Sequence, residues 1–414
     1  MPTLRMRPTT TRSAARGAGE VSAFPRPVEL ALYAAAPLAT LVTAPILARS
    51  LGPVARGQYG VAVAVSTFAL TIGAWGQAET YLAEARAGRF GYRQQTRIAL
   101  VGGVLSAVLT VGALVALGLP LVLALVAALF IPVLNQANLW RSVSVAGGLL
   151  KPPAIGGAVG PVLRIAALAG LAGLLALNAV SALVATQACL AIAAAATVLV
   201  AARRVQAARP GPTLPITRLL RSGGAVITFD VLNAIALRSD LIVLQLVSTA
   251  HEVGIYAAPA SLTTAALGLS IGFKSRLQSA IVSGGGTRAV ARDAVTVLLL
   301  GILGAAAVWV LAPWLVPVLF GPGYEGSVLP LRILGLAAVS LLMFDLSQGA
   351  LVVLAARRAL ITAGAASAGV VLIALAALSG PFGAVGAAAA CVVGYTVAAI
   401  VGWSVVVRRL RRAG

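Results

Sequence analysis

Apolar blocks about 20 residues long recur from one end of this chain to the other, and that is the length an α-helix needs to cross a bilayer. Little is left over for a water-facing surface. Only 10% of the 414 residues are charged and 60% are hydrophobic, whereas soluble domains are roughly 25% charged. Mean hydropathy is +1.00. The composition therefore excludes a soluble enzyme and points to an integral membrane protein.

Twelve blocks are separable, at 28–47, 59–77, 98–117, 119–139, 153–173 and 179–201, then at 225–247, 253–273, 294–316, 328–350, 360–379 and 384–407. The break at Gly118-Leu119-Pro120 carries no charge and rests on its turn residues alone. Loop charges check the count. With the N-terminus inside, one side collects Arg86, Arg89, Arg93 and Arg97, then Arg141 and Lys151, then Arg203, Arg204, Arg209, Arg218 and Arg221. The same side takes Lys274, Arg276, Arg288 and Arg292, then Arg357 and Arg358, and finally Arg408, Arg409, Arg411 and Arg412. The opposite loops hold only Arg49 and Arg56. Basic loops stay cytoplasmic, so this asymmetry predicts twelve spans with both termini inside. It also accounts for the net charge of +21 without a nucleic-acid surface, since the basic residues sit in the breaks between blocks.

Residues 1–26 carry Arg5, Arg7, Arg12, Arg16 and Arg26 among small polar residues, and read as a disordered basic cytoplasmic tail. They do not read as a cleavable signal peptide, because the first apolar block runs on to Leu47 and reads as a full span. The polar, proline-containing stretch 202–221 reads as a cytoplasmic linker between lobes of six spans each, 27–201 and 222–407, and 408–414 as a second basic tail. The halves look related. Leu51-Gly52-Pro53-Val54-Ala55-Arg56-Gly57-Gln58-Tyr59 follows the first block, and Ser248-Thr249-Ala250-His251-Glu252-Val253-Gly254-Ile255-Tyr256 follows the seventh. Both are short outer segments ending in Gly-x-Tyr. Six is an even number, so both halves keep one orientation and form parallel repeats about an axis along the membrane normal.

The chain contains no hydrolase triad, nucleotide-binding loop or metal-ligand cluster. The one histidine, His251, reads as a solvated loop residue beside Glu252, and Cys189 and Cys391 read as small buried apolar residues. No cofactor, metal or ATP-driven step is expected. The informative residues are ionisable groups inside apolar blocks, which are costly in hydrocarbon and usually face a cavity or a partner. Arg164 lies mid-span, too deep for its side chain to reach a surface, and suits either an anionic ligand such as phosphate or an acid on another helix. Arg238 and Asp240 lie in the outer half of the seventh block and Asp230 in its inner half. Arg332 lies about one turn into the tenth block, placed either to line a cavity or to reach the outer headgroups, with Asp345 deeper. Asp240 could pair with Arg164 or Arg332, or bind a coupling cation or proton, a role also open to Asp230 and Asp345. Pro37 and Pro45, both in the first block, are hinge candidates.

The segment Leu47-Ala48-Arg49-Ser50-Leu51-Gly52-Pro53-Val54-Ala55-Arg56-Gly57-Gln58-Tyr59 resembles the first-loop signature of the oligosaccharide flippase family, within the multidrug/oligosaccharidyl-lipid/polysaccharide exporter superfamily. Leu232 to Leu244 with Val253-Gly254-Ile255-Tyr256, Leu319-Phe320-Gly321-Pro322-Gly323-Tyr324, and Gly383-Ala384-Val385-Gly386-Ala387-Ala388-Ala389 are similar to later signatures, in the family's order. The resemblance implies an all-α membrane protein, with two six-helix lobes around a central cavity working by alternating access. Its implied cargo is a polyprenyl-pyrophosphate-linked oligosaccharide moved to the outer leaflet of the bacterial plasma membrane. Arg164, Arg238 and Arg332, with Asp240, would line the binding cavity, and a polysaccharide polymerase and glycosyltransferases would be partners. Two alternatives stand beside it. A cation-coupled multidrug exporter of the same superfamily would favour acidic cavity residues. A membrane scaffold or glycan polymerase is disfavoured by the shortness of every outer loop.

Overall fold

The computed structural model describes residues 27–77, 80, 92–146, 151–205, 215–283, 287–354 and 356–413. Every regular element among them is helical. In chain order they are α1 (Pro27–Ala74), α2 (Tyr92–Ala116), α3 (Leu121–Leu129), α4 (Ile131–Ala146), α5 (Lys151–Gly173) and α6 (Ala179–Val205). The second half holds α7 (Ile216–Val247), α8 (Ala250–Val282), α9 (Thr287–Phe320), a 3-10 turn (Glu325–Ser327), α10 (Val328–Val353) and α11 (Arg357–Ala413).

These helices hold all twelve apolar blocks. α1 and α11 each carry two blocks joined at a kink, where Gly52 (φ 67°) and Gly383 (φ 51°) take a backbone conformation that a Cβ would strain. Pro53 opens the second arm of α1, at the first helical position, where a missing N–H costs nothing. α3 and α4 share one block and are separated by Phe130. The uncharged break at Gly118 is a turn: Gly118 takes φ 78°, and the Leu119 N–H donates to Leu114 O at 3.0 Å, which closes the end of α2. Helix runs past several expected ends. α6 and α7 cover both edges of the 202–221 linker, α8 contains Lys274 and Arg276, and α11 continues through residues 408–413. Residues 1–26, 206–214, Glu79, Arg86 and Arg89 lie outside the described residues.

The outer surface is apolar. Leu303 is 68% exposed, Ile373 73% and Trp314 63%, a distribution suited to hydrocarbon rather than water. Cys189 and Cys391 are free and buried, as expected of small apolar residues.

The two lobes, α1–α6 and α7–α11, meet along α1 and α8. Their closest approach is between glycines. A Cβ on Gly57 would stand 2.8 Å from Ala250 O and 2.9 Å from Gly254 N, and a Cβ on Gly254 only 1.8 Å from Pro53 O. The offset of 197 positions that relates Gly57 to Gly254 also relates Pro53 to Ala250. A contact that returns on itself in this way marks a two-fold relation, so the Gly-x-Tyr match reports parallel repeats whose axis passes through this contact. The two tyrosines behave alike. Tyr59 Oη is 3.0 Å from Thr186 Oγ1 on the sixth block, and Tyr256 Oη is 3.3 Å from Cys391 Sγ on the twelfth.

Further ties close the same end of the interface. Tyr324 Oη donates to Ala48 O at 3.2 Å, and the Arg49 guanidinium donates to Val318 O. At the opposite end, Gly76 (φ 59°) abuts Gly223 and Val226.

Candidate functional site

Between the two ends of the lobe interface lies a cavity of about 200 Å³. α1 contributes Thr40, Thr43, Arg56 and Tyr59, α5 contributes Arg164, α7 contributes Arg238 and Asp240, and α8 contributes Ser261 and Thr264. Two larger spaces adjoin it. A cavity of about 370 Å³ inside the first lobe shares Tyr59, Val63 and Arg164 with it, and adds Ser66, Thr67, Asn138 and Gln187. A second inter-lobe cavity, about 520 Å³, shares Thr40 and Thr264 and reaches Lys274 and Asp345.

Arg164 stands where the central and first-lobe cavities join. It is half-buried, its Nη2 donates to Thr40 Oγ1 at 3.2 Å, and its buried Nε has no hydrogen-bond partner. The neighbouring Gly156, Gly157 and Pro161 line the same space and keep it open. The Arg238 side chain lines the central cavity, makes no hydrogen bond to another described residue, and interacts electrostatically with Asp240 two positions on. Arg164 and Arg238 thus line one cavity.

Arg56 was placed by sequence in an outer loop, and the structure corrects this. Because helix resumes at Pro53, Arg56 falls on the second arm of α1 and is only 4% exposed. Its Nη2 donates to Ala257 O at 3.3 Å, its guanidinium carbon lies 5.4 Å from the Tyr59 ring centre, and its Nε is buried without a partner. The usable signal was the proline at a helix start, with Arg56 and Tyr59 one turn apart behind it.

Arg332 is the second correction. It does not join the central cavity. Its Nε donates to Trp309 O at 2.8 Å and its guanidinium carbon lies 5.5 Å from the Trp309 ring centre, on the outward side of α9 and α10. The rotation of α10 about its axis turns this position away from the lobe interface.

Asp240 pairs with neither Arg164 nor Arg332. It is 7% exposed and accepts from Tyr256 Oη at 2.5 Å and from the Leu241 N–H at 2.8 Å. Asp345 does form an ion pair, with Lys274 Nζ at 2.7 Å, and accepts from Ser270 Oγ at 2.7 Å. Asp230 lies ten residues before Asp240 on α7, about 15 Å along the axis, and does not line the central cavity. Pro37 and Pro45 both lie within helical backbone of α1, which breaks instead at Gly52. The Pro37 ring packs against Gly268 of the other lobe, where a Cβ would come within 2.0 Å of it. Among the described residues no three His, Cys, Asp or Glu side chains gather as metal ligands.

In fold, this two-lobed bundle of twelve spans is similar to solved MATE and MurJ transporters. The lipid II flippase MurJ in an inward closed conformation is similar to the chain with a TM-score of 0.72 at 11% identity, over 91% of this chain and 87% of that one. An inward-facing multidrug resistance MATE transporter matches with 0.63 at 16% identity, over 92% and 98%. A mutant of the Vibrio cholerae MATE transporter VcmN matches with 0.62 at 17% identity, over 94% and 99%. No protein-family model matches the sequence, and no curated protein does.

Proposed function

We propose that this chain is a flippase that carries a polyprenyl-pyrophosphate-linked oligosaccharide from the inner to the outer leaflet of a bacterial plasma membrane, with both termini cytoplasmic. The lobes would expose the central cavity to each side in turn. One observation carries the reading: Arg56, Arg164 and Arg238 line the central cavity, against a single carboxylate, Asp240, that already accepts two hydrogen bonds. A guanidinium offers a planar fork that matches phosphate oxygens. Holding an arginine at membrane depth costs at least about 2.5 kcal/mol, and an unmet buried donor about 1–3 kcal/mol more. A pyrophosphate offsets both. The hydroxyls and amides of Ser66, Thr67, Asn138 and Gln187 in the adjoining first-lobe cavity suit sugar hydroxyls. Asp240 and Asp345 are the candidates for a coupling cation or proton, with Asp230 further along α7. A polysaccharide polymerase and glycosyltransferases would act on either side of this step.

A cation-coupled multidrug exporter is the second reading. The buried Asp240–Tyr256 pair in the second lobe favours it, as does the likeness in fold to MATE transporters.

Translocation of a lipid-linked oligosaccharide in vesicles tests the first reading. Arg164→Ala, expressed and folded at the level of the unaltered protein, is expected to lose transport. Arg164→Lys is expected to keep part of it, because lysine retains the charge and loses the fork. Full transport by Arg164→Ala rejects the role of Arg164. Loss of folding by both variants, with Arg238→Ala fully active, rejects the anion site.

A further inference from the structure

The second lobe contains a groove that the transport cavity does not include. It has a volume of about 470 Å³ and is bounded by α8, α9 and α10, with Ala266, Phe273, Gly301, Ala305, Val339 and Leu342 among its walls. Its lining is almost wholly apolar. It opens to the outer surface, since Leu300 on its rim is 53% exposed, and a Cβ built on the rim residue Gly304 meets nothing within 4 Å. Glycines shape the bed: Gly301 and Gly335 let α9 and α10 approach, with prospective Cβ contacts of 3.4 Å to Val339 and 3.3 Å to Val308. Along α10 the walls run from Leu331 to Leu342, about 16 Å of helix at about 1.5 Å per residue.

Two features select an occupant. The first is charge. Arg332 follows the wall residue Leu331 on α10 and stacks on Trp309, next to the wall residue Val308. Only its Nε is engaged, by Trp309 O, so both terminal nitrogens remain for a ligand. The second is nearness. The wall residues Thr263 and Leu334 also border a small inner cavity of about 50 Å³ lined by Arg238 and Asp240, residues of the central cavity. A cargo lipid, unlike an ordinary bilayer lipid, has to travel between the transport cavity and the bilayer.

We propose that this groove holds the isoprenoid chain of the cargo lipid after its phosphate has left the central cavity, with Arg332 then gripping that phosphate at the outer end. The inference rests on the flippase reading and adds a separate tail site, on the outward side of the second lobe. Arg332 then serves as a headgroup anchor at the groove mouth rather than as a cavity residue.

The test uses the full chain in nanodiscs and a polyprenyl phosphate with a photoreactive group in its tail. A phosphatidylglycerol bearing the same group in its acyl chain is the comparison. Cross-links from the polyprenyl probe are expected on α9 and α10 between Leu300 and Val308 and between Leu331 and Leu342, and excess unlabelled polyprenyl phosphate should compete them away. Gly304→Trp, which fills an open position, is expected to cut this labelling about tenfold. Arg332→Gln is expected to cut labelling several-fold with the phosphate probe and to leave labelling by the matching neutral polyprenol unchanged. Equal labelling by phosphatidylglycerol overturns the proposal and makes the groove a bulk-lipid site. Cross-links confined to other helices, or to a second copy of the chain, overturn it as well. Failure of the flippase reading looks different: the unaltered protein then moves no lipid-linked sugar. A protein that moves the sugar while Gly304→Trp labels normally refutes the groove alone.

Discussion

Asp240 and Arg164 carry opposite charges on the walls of one cavity, yet neither takes the other as its partner. Asp240 is held instead by the Tyr256 hydroxyl and the Leu241 N–H, and Arg164 by the Thr40 hydroxyl. This leaves the arginines for a ligand and makes Tyr256 the residue on which the buried carboxylate depends. Tyr256→Phe removes the O–H donor from a group that is 7% exposed, and is expected to destabilise the protein by about 1–3 kcal/mol. The partner repeat supplies the control. Tyr59→Phe breaks a neutral contact with Thr186, worth about 0.5–1.5 kcal/mol, and should lower the melting temperature less. Equal melting of the two variants in detergent would contradict this account of Asp240. Arg164 and Arg238 were legible in the sequence because an arginine inside an apolar block needs a reason to be there. Arg56 was not, because Leu-Gly-Pro-Val-Ala-Arg-Gly has the composition of a loop and only the backbone shows helix resuming at Pro53. Arg332 was half legible. Its depth follows from its place in the block, but the face it occupies depends on helix rotation, about 100° per residue, which no single span reveals.

At the scale of elements, glycine decides where this molecule bends and where its lobes touch. The break in α1 is at Gly52 and that in α11 at Gly383, both at positive φ. The lobes close on each other through Gly57 and Gly254, where no side chain fits. Gly254→Ala puts a Cβ 1.8 Å from Pro53 O, a backbone atom that cannot turn aside, so the lobes must part at that end. The expected outcome is a several-fold fall in disulfide yield between cysteines placed at Arg49 and Val318, which lie across the interface from one another. Gly112→Ala, where a Cβ meets nothing within 4 Å, should leave the yield unchanged. An unchanged yield in Gly254→Ala would show that the glycine contact does not set the closure. The twelve blocks themselves were legible because bilayer thickness fixes their length and the loop charges fix their order. The helix ends were less so. Hydrogen bonding continues beyond the hydrocarbon, so α8 carries Lys274 and Arg276, and α11 carries the basic residues to Ala413. The charges that mark loops in a hydropathy reading are here the outer turns of helices.

At the scale of the whole molecule, two repeats related by a two-fold axis enclose a cavity whose charges do not follow the symmetry. The axis relates Gly57 to Gly254 and Tyr59 to Tyr256, while Arg56 falls opposite Val253 and Asp240 opposite Thr43. The shared scaffold was visible in the Gly-x-Tyr match, and the asymmetry only where the two lobes meet. It sets three guanidinium groups against one engaged carboxylate, which suits an anionic cargo and repels a cationic one. The most direct measurement is a comparison of cargoes on one preparation. The purified protein is reconstituted in liposomes loaded, in separate samples, with a fluorescent lipid-linked oligosaccharide and with an organic cation. The account predicts that the lipid-linked sugar becomes accessible to an external lectin far faster than in protein-free liposomes, and that the cation stays inside under either a proton or a sodium gradient. Gradient-driven release of the cation, with no movement of the lipid-linked sugar, would contradict it.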